Sequence, residues 1–374
     1  MSISKSALTV VHVSSQKSWH GGEGQALQLA RGLRQRGHRC VILAREGGEF
    51  AFRLSAEYFE VHTFRGRGRA PDSLWKIRRL LSSIQPDVIH SHDAHALTAS
   101  GLAALGLNVP LRVASRRVDF SIRSALKFRR LADVVIPIST AVAEICRYGG
   151  IPDSMLEMVH SGVDPAWVQS GDRHRGRQRL GISGNRPLVV VVAKLTAHKG
   201  HEFLLDAMPA IVKRFPQLQL ALVGDGELAE SLRAQSIRLN LGSNINFLGY
   251  RADVPDLIMA SDLFVMPSYM EGLCTSILDA MFARIPVVTT GAGGIADIVG
   301  ADHPDGPFTY LGPPKDSQAL AESILLALSD PAGSRVLAQK ACRRAEAMFT
   351  HDHMVNGTLE VYWRSLTRQR THAA

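Results

Sequence analysis

The chain has 374 residues, 45% hydrophobic and 21% charged, and carries a net charge of +9. That length accommodates two domains of common size, and the composition excludes a disordered or fibrous chain; no apolar run of about 20 residues marks a membrane-spanning helix. The charge is one-sided: residues 1–163 hold 22 Lys+Arg against 13 Asp+Glu, whereas the remainder holds 21 of each.

Leu8–Val13 reads as a first strand, ending in the polar loop Ser14–His20. Gly21-Gly22-Glu23-Gly24 then opens a helix with apolar positions at Ala26, Leu29, Ala30 and Leu33, closed by Gly37. Cys40–Ala44 is a second strand, so the segment reads as a Rossmann-like unit. The G-x-G-x-x-G dinucleotide fingerprint is absent, and the glycines instead let a ligand approach the loop. A helix near Leu74–Ile84 and a strand Asp87–His90 follow. The strand ends in His90-Ser91-His92-Asp93-Ala94-His95, whose spacing lacks the cysteines or second acidic cluster of a metal site; polar side chains facing a crevice are the better reading. Strand Leu111–Ala114 ends in Ser115-Arg116-Arg117-Val118-Asp119, where a guanidinium could grip a phosphate or pair with Asp119. Val134–Ile138 is a further strand, followed by a helix capped from Ser139-Thr140.

His160–Pro165 and the polar run Gln169–Gln178 read as the domain connection. Leu188–Ala193, nearly all valine, is a strand of the buried parallel type. It ends in Lys194-Leu195-Thr196-Ala197-His198-Lys199-Gly200, two lysines five apart beside a glycine, a credible phosphate clamp. Strand Leu218–Val223, a helix through Arg238 and strand Ile245–Gly249 follow. Leu263–Met266 is a short buried strand, after which Leu273, Ile277, Leu278 and Met281 have helical spacing. The turn between them carries Glu271 and Gly272. Free N–H groups at a helix start attract anions, glycine lets a phosphate approach, and Asp279 lies about two turns after Glu271. A nucleotide sugar, with phosphates for the helix end and hydroxyls for the two carboxylates, fits that pattern. Strand Pro286–Thr289, helices near Ser317–Ser329 and Ser334–Phe349, and a last helix near Met354–Leu366 complete the chain.

Met1–Lys5 and the short apolar stretch behind it do not form a signal peptide. The cysteines, Cys40, Cys146, Cys274 and Cys342, have no metal-type spacing and suit a reducing cytoplasm. The excess positive charge clusters at Arg65/Arg67/Arg69, Arg78/Arg79, Arg116/Arg117 and Arg123/Lys127/Arg129/Arg130. It implies an anionic partner such as a phosphorylated acceptor or an anionic membrane surface, or else a solvated face. Nucleic acid is disfavoured, because residues 65–130 hold only Trp75, Phe120 and Phe128 as stacking platforms.

Taken in order, Gly21-Gly22, Arg36-Gly37-His38, Ser161-Gly162-Val163-Asp164, Lys199-Gly200, Val223-Gly224-Asp225-Gly226, Phe247-Leu248-Gly249 and Pro267-Ser268…Glu271-Gly272 resemble the retaining family 4 glycosyltransferases of GT-B fold, over nearly the whole chain. Glu271 to Asp279 is similar to that family's E-x7-E motif. The resemblance implies an α/β protein with two Rossmann-like domains facing across a crevice. An acceptor-binding domain would span 1–165, a nucleotide-sugar domain 180–350, and a C-terminal helix, 351–374, would return to the first domain. It implies that Lys194 and Lys199 stabilise the donor diphosphate, Lys194 standing where relatives more often have Arg. Gly272, the N–H groups of Leu273 and Cys274, and Thr275 would hold phosphate; Glu271 would bind sugar hydroxyls. Asp279, one methylene shorter than the usual Glu, would bind ribose, and Tyr250 and Arg251 would lie by the base. Gly21 and Gly22 would admit the substrates, with His92, Asp93, Arg116 and Arg117 on the acceptor side. Arg117 stands about where relatives have a His near the reacting sugar. The resemblance also implies no cofactor beyond a UDP-, GDP- or ADP-linked sugar and, in the absence of any Asp-x-Asp, no metal. The expected acceptor is a lipid-linked or lipopolysaccharide-type glycan, and the expected location is the cytoplasm, peripheral on the inner face of the membrane. A non-catalytic or nucleic-acid- or anionic-membrane-binding protein on the same fold is the alternative.

Overall fold

The computed structural model describes residues 6–373, with side chains through Gln369; Met1–Lys5 and Ala374 lie outside them. The chain divides into two compact units, 1–162 with 351–374, and 163–350.

In the first unit the strands are β1 (Thr9–Ser14), β2 (Arg39–Arg45), β3 (Glu60–Phe64), β4 (Val88–Ser91), β5 (Leu111–Arg116) and β6 (Val134–Pro137). All pair in parallel, in the order β3-β2-β1-β4-β5-β6. Alternation along each strand feeds two cores. Val10, Ile42 and Val88 pack on one face with the helices Gly21–Gln35 and His351–Ala373, while Val11, Val41 and Ile89 pack on the other with Pro71–Ile84 and Ala94–Ala103. The C-terminal helix crosses Gly21–Gln35 so closely that a Cβ on Gly32 would lie 2.4 Å from Val355 Cγ2. Its Tyr362 hydroxyl reaches 2.6 Å to His90 Nδ1.

In the second unit the strands are β7 (Leu188–Val192), β8 (Gln219–Val223), β9 (Ile245–Gly249), β10 (Leu263–Met266), β11 (Val287–Thr290) and β12 (Tyr310–Gly312). Their order, β12-β11-β10-β7-β8-β9, repeats the first sheet's winding. Each sheet therefore reverses direction once, between β1 and β4 and between β7 and β10. Ligands of open α/β sheets bind beyond the strand C-termini at that switch point.

Of the expected connection, His160–Pro165 holds the division, whereas Gln169–Gln178 is not a linker. The units divide between Gly162 and Val163, and Pro165–Gln169 and Arg173–Arg179 are helices of the second unit. The helix Arg173–Arg179 docks by charge: Arg175 pairs with Asp256 at 2.5 Å and Arg179 with Asp256 at 2.7 Å and Asp253 at 2.9 Å. A Cβ on Gly176 would stand 2.2 Å from the Asp256 carbonyl oxygen, so the backbones touch there.

Candidate functional site

At the second unit's switch point the loops after β7 and β10 are bound to each other. Gly200 sits at φ 68°, and a Cβ there would lie 2.1 Å from the carbonyl oxygen of Pro267, so only glycine allows the approach. The Tyr269 N–H donates to His198 O at 3.0 Å. This stitching brings the Lys199 ammonium to 2.5 Å from Glu271 Oε1, the same oxygen that accepts from Ser268 Oγ at 2.8 Å. The Glu271 carbonyl in turn accepts from Gly294 N–H at 2.9 Å, which fixes the turn against the loop after β11. Glu271 is buried, and Lys199 is largely so.

Cys274 then adopts φ 74°, a left-handed conformation that costs a non-glycine residue about 1–3 kcal/mol and concentrates at functional sites. It caps the helix Thr275–Phe282, whose first N–H groups have no acceptor within the helix. Glu271, Gly272 and Leu273 therefore precede the helix, and Thr275 is its first residue. One turn further in lies Asp279, with 8% exposure and no hydrogen bond or ion pair among the described residues. Burial pushes its carboxyl up to about 7.

The other residues expected at this end are less closely drawn in. Lys194 is exposed on the β7 loop. Tyr250 is exposed beyond β9. Arg251 is committed to Asp253 through two hydrogen bonds of 2.7 Å.

At the first unit's switch point, parallel pairing sets His12 of β1 beside His90 of β4. His92, two residues on, joins the same face, its N–H donating to Val13 O at 2.9 Å. His12 Nδ1 and His92 Nε2 are 3.0 Å apart. His90 is held at both ring nitrogens, by Tyr362 Oη at 2.6 Å and Ser115 Oγ at 2.7 Å. Burial, reinforced by the Arg117 charge, brings His12 down to about 3 and lowers His90 and His92 as well. All three are neutral at pH 7. Among the described residues they form the one group of three whose ligand atoms lie within 4.8 Å of one another. With His90 engaged on both sides, no carboxylate in the group and a guanidinium against it, the setting is poor for a divalent ion.

Several expectations on this side change. His90 and His92 are buried under the loops and do not face outward. Asp93 is consumed by structure: its carboxylate accepts from Ser15 N–H (2.7 Å) and Oγ (2.6 Å) and caps the helix Ala94–Ala103 through His95 and Ala96 N–H, both 2.9 Å. Arg116 is buried and donates to the Phe120 carbonyl within its own loop. Among the described residues it makes no ion pair with Asp119.

Arg117 is partly buried beside the start of the helix Gly21–Gln35. Gly22 lies over it, close enough that a Cβ would meet Arg117 Cδ at 3.7 Å. Gly21 and Gly22 open the helix Gly21–Gln35, and Glu23 reaches back to the His20 N–H at 3.1 Å. Burial pushes Glu23 up to about 7. His12 and Glu23 were not assigned from sequence. A histidine inside the otherwise apolar run Val10–Val13 was the available signal for the first.

Family models match both halves: "Glycosyltransferase Family 4" over residues 19–167 and "Glycosyl transferases group 1" over residues 172–344. The chain is 26% identical over 236 residues to an uncharacterized glycosyltransferase of Methanocaldococcus jannaschii (61% of this chain, 59% of that one). It is 30% identical over 256 residues to TuaC of Bacillus subtilis, a putative teichuronic acid biosynthesis glycosyltransferase (64% of this chain, 61% of that one). The chain thus spans about three-fifths of the length of these curated relatives. Among solved structures it is similar to HepE of Anabaena in complex with UDP and glucose, with a TM-score of 0.83 at 25% identity, covering 95% of this chain and 99% of that one.

Proposed function

Since the chain belongs to the family 4, group 1 glycosyltransferases of GT-B fold, we propose that it is a retaining, metal-independent enzyme that moves a hexosyl group from a nucleoside-diphosphate sugar to a lipid-linked or cell-envelope glycan. The observation that carries this reading is the Lys199–Glu271 contact at the switch point, immediately ahead of the helix Thr275–Phe282. Glycosyl transfer builds negative charge on the departing diphosphate, and preorganised donors aimed at that charge lower the barrier. An ammonium carries three donors, so Lys199 can hold Glu271 and still meet a phosphate oxygen. The helix N–H groups add to it, with Lys194 at the rim.

Glu271, already accepting from Lys199 and Ser268, is oriented for sugar hydroxyls. Its engagement with Lys199 speaks against a nucleophile, which is why we favour attack on the same face as departure. The unpaired Asp279 carboxyl suits ribose hydroxyls. The lack of any Asp-x-Asp leaves lysine and helix N–H groups as the diphosphate's stabilisers. The cell-envelope acceptor rests on the likeness to TuaC and on the basic first unit. The enzyme would then work at the inner membrane face: an Arg65/Arg67/Arg69→Ala variant is expected to lose binding to anionic vesicles, and unchanged binding removes that element.

The central test is a thermal-shift screen of the whole chain against UDP, GDP, ADP and CMP, each with and without EDTA. Stabilisation by one nucleoside diphosphate, unchanged by EDTA, is the expected result. A shift abolished by EDTA overturns metal independence, and no shift with any nucleotide overturns the donor assignment.

A further inference from the structure

Among the described residues Arg117 is a partly buried cation in direct contact with no carboxylate. Its Nη1 donates to Ser161 Oγ at 3.2 Å and its Nη2 lies 3.5 Å from Ser115 Oγ, both neutral hydroxyls. Its Nε is buried and has no partner. Among the described residues no carboxylate oxygen lies within ion-pairing distance of it. Its neighbours compensate it only in part: His12, His90 and His92 are neutral, and Glu23, whose charge acts on Arg117, is turned back onto the His20 N–H and is itself pushed up to about 7 by burial.

Removing a guanidinium from water without pairing it is costly, and a bound oxyanion relieves that cost. The planar fork of Arg matches carboxylate, phosphate and sulfonate oxygens. The N-terminus of the helix Gly21–Gln35 opens directly over the side chain at Gly22, adding N–H groups and dipole of the same sign. A histidine here would offer one neutral donor; this chain places a permanent charge.

We propose that Arg117 is the receptor for an oxyanion carried by a substrate, so that this enzyme handles a charged sugar or a charged acceptor group. The inference rests on the glycosyltransferase reading for the identity of the substrate, but not for the existence of the anion site. The residue is specificity-determining: a neutral sugar in its place leaves the guanidinium unpaired.

The test uses the whole chain and its Arg117→Gln variant, with hydrogen exchange read in the peptides covering Gly21–Glu23 and Ser115–Arg117. Inorganic phosphate and glucuronate are the anionic probes, and glucose is the neutral control. Both anions are expected to protect these peptides in the unaltered chain, glucose is not, and Arg117→Gln should weaken the effect about tenfold or more. Arg117→Lys, which keeps the charge but not the fork, should recover part of it.

UDP, GDP and ADP form a separate arm. Arg117-dependent protection by glucuronate or phosphate supports a charged sugar or acceptor, whereas Arg117-dependent protection by a nucleoside diphosphate and by neither of those anions overturns that reading. Absence of protection by every anion, or protection unchanged in Arg117→Gln, overturns the proposal. A nucleotide response confined to peptides around Lys199 and Glu271 reports the donor site on its own, so failure of one reading is distinguishable from failure of the other.

Discussion

The two units wind six parallel strands in the same order and reverse at equivalent points, yet the side chains delivered there differ in kind. At the β7/β10 point a cation and a carboxylate are bound to each other, Lys199 to Glu271. At the β1/β4 point three neutral imidazoles back an unpaired guanidinium. Topology decides which loops meet; strand-end residues decide the charge that meets there. One end holds its ammonium against its own carboxylate. The other keeps a positive charge that no carboxylate contacts directly among the described residues.

The contrast breaks most sharply at the paired end. Lys199→Ala or Glu271→Ala is expected to lower turnover about 10²–10³-fold, the scale of losing one preorganised donor at a site of developing charge. Near-normal turnover in either variant with the fold intact would show that the pair is structural. Next comes the scaffold of the same unit. Asp256→Ala leaves Arg175 and Arg179 without their shared carboxylate and should lower the unfolding midpoint, by less than a fully buried pair would because both arginines are about half exposed. Denaturant unfolding monitored at Trp167, which sits on the adjoining helix, reads that loss; an unchanged midpoint would count against docking by charge.

That scaffold also marks the limit of what the sequence reveals. Runs with hydrophobic periodicity declared themselves: Ile245–Gly249, Leu263–Met266 and Ser317–Ser329 have the bounds read from pattern alone. Arg173–Arg179 carries no apolar stripe, because it is held by ion pairs, and so it read as linker. β3 and β12 are short sheet-edge strands whose residues are mostly half-buried or exposed, which leaves little alternation to detect. At the site, Glu271 and Lys199 were legible because their turns contain glycine beside a strand end. His12 was not, because its meaning depends on the β1–β4 register that sets it beside His90. Asp93 misled for a related reason: at a strand end, a carboxylate that caps a helix looks the same in sequence as one that meets a ligand.

Acid sharpens the contrast between the units. His12, His90 and His92 have folded pKa values below the ordinary 6.5, so the folded first unit binds fewer protons than the unfolded chain. Their contribution to stability is complete above that value and is lost as pH falls below it. Three groups together give a slope of up to about 4 kcal/mol per pH unit. The second unit has one comparable group, His201, lowered to about 4 by burial. The raised carboxyls, Glu23 in one unit and Asp279 in the other, gain stability on acidification and offset each other. The depressed Asp253 and Asp256 weaken the second unit only at lower pH, nearer the carboxylate range. The first unit should therefore open first between about pH 6 and 5. Calorimetry should show two transitions separating on acidification, with Trp19 and Trp363 reporting the earlier one. Parallel loss in both units would refute the neutral-imidazole reading.

The smallest expected effect concerns Asp279. Burial holds its carboxyl at about 7, so near neutrality it carries a proton about half of the time. Hydroxyl donors from a ribose favour the carboxylate, since hydrogen bonds to the charged form lower a pKa. Nucleotide binding at pH 7 should then release a fraction of a proton, measurable by titration calorimetry in buffers of different ionisation enthalpy. Asp279→Asn should abolish that release and weaken binding about tenfold, whereas Asp279→Glu, which keeps a carboxyl at the same depth, should preserve it. Release that persists in the Asn variant would transfer the titration to another group, and absence of release in the unaltered chain would mean that the ribose is held elsewhere. Arg117, a cation that stays charged at pH 7, cannot generate the signal, and the loss of release in Asp279→Asn separates Asp279 from Glu23, the first unit's own carboxyl raised to about 7.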